Sequence, residues 1–64
     1  MITLINSEIE SISEYKDGKQ IVVEAHTDSD GEVHRFEYVA TPHTDISKKM
    51  TKNRTYLLER LQEI

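Results

Sequence analysis

The sequence predicts an α+β fold: a three-stranded antiparallel β-meander over about residues 8–15, 19–27 and 32–40, followed by a C-terminal α-helix. Three observations point there. The alternating segments "KQIVVEAHT" and "EVHRFEYVA" flank the turn-forming "DSDG". Asp17 and Gly18 supply a second hairpin signal upstream. Beyond Pro42, apolar residues recur at helical rather than strand spacing.

In the first arm, Ile9 and Ile12 are three apart, which breaks strand alternation. With Ile2 and Ile5 they give a helical 3-4-3 spacing, and Ser7 and Glu10 are spaced like a capping box, so a helix is the alternative for residues 2–15. The Asp-Gly cue favours a strand paired with 19–27, and a bulge near Ser11 reconciles the isoleucines with it.

For the second hairpin, a four-residue "DSDG" loop sets Ala25 against His34, Val23 against Phe36, Ile21 against Tyr38 and Glu24 against Arg35. A two-residue Asp30-Gly31 loop opposes Glu24 to Glu37, two like charges. A three-residue "SDG" loop brings His26 opposite His34 but buries Glu24 beside Phe36. The four-residue register is therefore the expected one. It places Ile21, Val23, Phe36 and Tyr38 on one face and Val22, Val33, Val39 and Ile12 on the other.

Pro42 ends the sheet because it cannot donate to a ladder, and Thr44 or Asp45 can cap a helix. Ile46, Met50, Leu57, Leu61 and Ile64 share one stripe, interrupted by the polar Asn53. The helix therefore starts near residue 45 or near 53 and runs to 64.

A chain of 64 residues makes a single small domain that buries only about 60% of its unfolded surface. Without cysteine it has neither a disulfide framework nor a thiolate zinc site, which leaves association as the remaining staple. The N-terminus lacks a basic, apolar leader pattern and no run reaches membrane-spanning length, so the expectation is a cytoplasmic protein with no membrane partner. The net charge of −4 is uneven: residues 1–40 hold nine acids and three bases, residues 41–64 three acids and five bases.

The aspartate-rich turn invites comparison with a calcium loop. Counted from His26, the oxygen-ligand and glycine positions of an EF-hand fall on Asp28, Asp30, Gly31, Glu32, His34 and Glu37. His26 is the wrong ligand for the first position, and the flanks alternate like strands where helices are required. The metal candidates are thus Asp28, Asp30, Glu32 and Glu37, set against an ordinary Asp-Gly turn. His26, His34 and His43 raise a zinc question, but the expected register separates the first two.

Catalytic chemistry has little support. Serines 7, 11, 13, 29 and 47 have no nucleophile-elbow context, two glycines make no phosphate-cradling loop, and no cofactor is implied. Lys48, Lys49, Lys52 and Arg54 are grouped but lack interleaved aromatics, so nucleic acid is not an expected partner.

One helix covers one sheet face, and the other, with the N-terminal "MITLI", is left for a neighbour. The expected function is a non-catalytic structural or protein-protein interaction subunit, stabilised in a homo-oligomer or a larger assembly such as a viral particle, where its location would be the virion. Ile2, Leu4, Ile12, Val22, Val33 and Val39 are the interaction candidates. Two alternatives stand beside it. One is an acidic regulator of a basic, nucleic-acid-binding protein, acting through Glu10, Glu24, Asp28, Asp30, Glu32 and Glu37; the other is a low-affinity metal-binding module.

Overall fold

The computed structural model describes residues 2–62 and gives the expected α+β arrangement. Strands β1 (Leu4–Glu14), β2 (Gln20–Asp28) and β3 (Val33–Ala40) form one antiparallel sheet in the order β1-β2-β3, and helix α1 (Ile46–Gln62) follows. Glu63 and Ile64, where the helix was expected to end, lie outside the described residues. No described helix is long and apolar enough to cross a membrane.

Within residues 2–15, Leu4–Glu14 form a strand rather than a helix, and β1 begins earlier than expected. At the β1-β2 connection Asp17 (φ 60°) and Gly18 (φ 73°) both take positive φ, the requirement of a type I′ turn, and Tyr15 N–H donates to the Lys19 carbonyl at 2.9 Å. Pairing shifts between Ile9 and Ser11, so Glu10 is the extra residue of a bulge. That bulge puts Ile9, opposite Glu24, and Ile12, opposite Val22, on the same face although they are three apart. A second irregularity, at Ile5, had no counterpart in the sequence reading.

The β2-β3 register corrects the expected one. His26 pairs with His34, Ala25 with Arg35, Glu24 with Phe36 and Val22 with Tyr38. This is the three-residue "SDG" loop, disfavoured in the sequence because it buries Glu24 beside Phe36. Its geometry explains its preference: Gly31 N–H donates to the Asp28 carbonyl at 3.0 Å, Asp28 N–H donates to the Glu32 carbonyl at 2.9 Å, and Gly31 sits at φ 86°, where a side chain would be strained. The Asp28 carboxylate oxygen Oδ1 also accepts from Asp30 and Glu32 N–H at 2.8 and 3.0 Å, so the turn organises its own tip.

The shifted register exchanges neighbours. Val22, Glu24, His26 and Asp28 lie with His34, Phe36 and Tyr38 on the face beneath α1, and Ile21, Val23, Val33 and Val39 lie on the open face. Val22 is therefore not on a second, free face as expected; it is fully buried.

The helix starts at the earlier of its two expected positions and runs unbroken. Asp45 caps it, accepting Lys48 N–H through Oδ1 at 3.1 Å. Ile46, Met50, Asn53, Leu57 and Leu61 form its buried or half-buried stripe. The apolar core is small: Leu4, Val22, Ala25, Ala40 and Leu57.

Cross-strand nuclear Overhauser contacts distinguish the two registers. They are expected to place Ala25 opposite Arg35 and Val23 opposite Glu37; contacts placing Ala25 opposite His34 contradict this hairpin.

Candidate functional site

The buried centre of the sheet is polar. Pleating of β2 sends Val22, Glu24, His26 and Asp28 to the helix side, and all four are essentially inaccessible. A buried carboxylate is tolerated only when its oxygens are satisfied, and Glu24 takes partners from three elements. Oε2 accepts the Tyr38 hydroxyl at 2.6 Å. Oε1 is 2.9 Å from His26 Nε2 and accepts Asn53 Nδ2 from the helix at 3.2 Å. His26 Nδ1 in turn lies 2.8 Å from Ser7 Oγ on β1.

The network therefore joins β1, β2, β3 and α1. Among the described residues no buried side-chain nitrogen or oxygen lacks a partner. Edge-to-face contacts surround it, His26 to Phe36 at 5.5 Å and Phe36 to Tyr56 at 6.4 Å. Burial, and then the Glu24 carboxylate beside it, push the Tyr38 phenol well above its usual range.

Ser7, His26 and Glu24 follow one another in the order of nucleophile, base and acid. His26 has no exposed surface, however, and the open cleft of about 490 Å³ lies at the opposite end of the sheet, lined by Glu14, Tyr15, Gly18, Lys19, Gln20 and Pro42. The row links β1, β2, β3 and α1 through the core.

A second cluster occupies the hairpin tip. Asp28 Oδ2 is 2.8 Å from His34 Nε2, and with Glu32 these side chains offer ligand atoms all within 4.8 Å of one another. The His34 hydrogen bond, followed by the backbone N–H groups of Glu32 and Asp30, holds the Asp28 carboxyl below its ordinary range. Of the four metal candidates read from the sequence, Asp28 and Glu32 come together here. Asp30 is exposed at the turn, and Glu37 points to the open face opposite Val23.

No protein family model, curated protein or solved structure matches this chain.

The open face carries a different arrangement. Arg35 on β3 reaches Glu10 at the β1 bulge through two hydrogen bonds, Nε to Oε2 at 2.8 Å and Nη2 to Oε1 at 2.9 Å, bridging the two outer strands. That fork lowers the Glu10 carboxyl and raises the guanidinium from their usual values. Of the six carboxylates considered for an acidic docking face, Glu10 is thus paired and Glu24 and Asp28 are buried. Lys48, Lys49, Lys52 and Arg54 are exposed on α1, with Lys49 Nζ 5.3 Å from the centre of the Tyr38 ring.

The interaction candidates also separate. Leu4 and Val22 are buried, and Ile2 is half-buried with its carbonyl accepting Gln62 Nε2. Ile12, Val33 and Val39 remain exposed, joined by Ile5.

Removing the Tyr38 hydroxyl tests the network. Tyr38→Phe deletes a donor to a buried carboxylate and is expected to cost about 2 kcal/mol in urea unfolding. Because the folded phenol keeps its proton to higher pH than an unfolded one near 10, its contribution is complete below about pH 10 and is lost as pH rises toward the folded value. The alkaline fall in stability should therefore be shallower in the variant; identical slopes contradict the assignment.

Proposed function

We propose that this chain is a non-catalytic interaction subunit whose open sheet face and β1 edge pack against a second copy or a neighbouring subunit. The observation that carries this reading is the distribution of apolar residues. Val33 is 43% exposed, Val39 50%, Ile12 48% and Ile5 67%, whereas among the described residues the buried apolar set includes only three side chains larger than alanine: Leu4, Val22 and Leu57. The radius of gyration, 12.8 Å, also exceeds the roughly 11 Å of a compact domain of this length.

The magnitudes define the contact. Three strands of nine or so residues present about 30 by 14 Å, or roughly 400 Å². A stable interface covers about 800 Å² per partner. The open face alone is too small, so the partner also lies along β1, the edge strand that bears Ile5 and Ile12. Unpaired edge amides supply the direction for such an approach, and the Arg35–Glu10 fork gives the face a polar centre that fixes orientation.

Sedimentation velocity at micromolar concentration provides the test. Association is the expected result, and replacing both Val33 and Val39 by lysine is expected to shift the chain to monomer and lower its melting temperature. A folded monomer that melts above about 60 °C, with or without the two lysines, contradicts the proposal.

A further inference from the structure

The three-residue tip of the second hairpin concentrates two carboxylates and an imidazole, and the geometry points to a site for a first-row divalent transition-metal ion held by Asp28, Glu32 and His34. The ligand atoms lie within 4.8 Å of one another, and Asp28 is buried, His34 half-buried and Glu32 exposed, so the cluster has a closed floor and an open side. One nitrogen with two carboxylate oxygens selects against calcium, which takes oxygen ligands, and suits manganese, cobalt, nickel or zinc.

Two further observations favour an ion over a simple turn. Asp28 uses Oδ1 for the Asp30 and Glu32 N–H groups, which orients Oδ2 toward His34 and leaves that oxygen for a cation. The Glu32 carboxylate has no hydrogen bond or ion pair among the described residues, yet it stands beside a second carboxylate, an arrangement a cation relieves. The 2.8 Å between His34 Nε2 and Asp28 Oδ2 is the separation of a hydrogen bond in the absence of an ion. The ion replaces the proton shared by these two atoms, and water completes the remaining positions.

Divalent cobalt, which is paramagnetic, is the probe. One ion per chain is expected, with amide signals broadened most around residues 28–34 and in the adjoining start of β1, where Leu4 pairs with Asp28 and Thr3 bonds to Ser29. Glu32→Gln and His34→Gln should each weaken binding at least tenfold. Because Glu32 is exposed, its variant keeps the fold and separates ligand loss from unfolding. Calcium at equal concentration should change nothing. The inference is overturned by broadening centred on His43, by binding unaffected by both substitutions, by competition from calcium, or by an unperturbed tip at millimolar cobalt. None of these outcomes bears on association through the open face, which is read separately by sedimentation.

Discussion

A buried carboxyl group at the middle of the central strand is the constraint around which this small structure is arranged. Glu24 is fully buried, and an unpartnered carboxylate there would be far costlier than the few kilocalories that stabilise a domain of this size. Its partners come from different parts of the chain: Tyr38 from β3, Asn53 from α1, and His26 from β2 itself, which passes the connection on to Ser7 in β1. Apolar packing is tolerant of small slips; hydrogen bonds near 2.6–3.2 Å are not. With few large apolar residues in the core, polar geometry sets both the β2-β3 register and the rotation of the helix over the sheet.

This division explains what was legible in the sequence. The elements were, because each rests on local chemistry: Asp17-Gly18 for the first turn, Pro42 for the end of β3, the Ile46-to-Leu61 periodicity for the helix, and the bulge required to bring Ile9 and Ile12 to one face. The register was not. Pairing Val23 with Phe36 and Glu24 with Arg35 satisfies every cross-strand contact within the sheet, and the penalty for burying Glu24 looks decisive when only the sheet is considered. Part of the compensation comes from Tyr38 and His26 within the sheet, and the third partner, Asn53, stands 29 residues away on the helix. Its trace was present in the sequence: Asn53 is the polar gap in an otherwise apolar stripe, and Glu24, His26 and Asp28 repeat at strand spacing. A polar gap and a polar row are complementary, although neither alone says so.

The same register shapes the surface. Since the helix side takes Val22 and the polar row of β2, Ile21 and Val23 join Val33 and Val39 on the open face, and the apolar area that a larger core would absorb remains available for association. At the sheet's far end the register brings His34 beside Asp28 and leaves the His26 imidazole to Glu24, so two histidines that face each other across the hairpin serve different carboxylates. Core organisation, surface and hairpin tip are thus three consequences of one strand pairing.

The most direct measurement of this account is a double-mutant cycle between Glu24 and Asn53, using Glu24→Ala, Asn53→Ala and the double variant in urea unfolding. If the buried carboxylate fixes the helix on the sheet, the two substitutions are coupled by about 1 kcal/mol or more. Additivity to within about 0.3 kcal/mol would contradict it, and would mean that the helix is held by its apolar stripe alone.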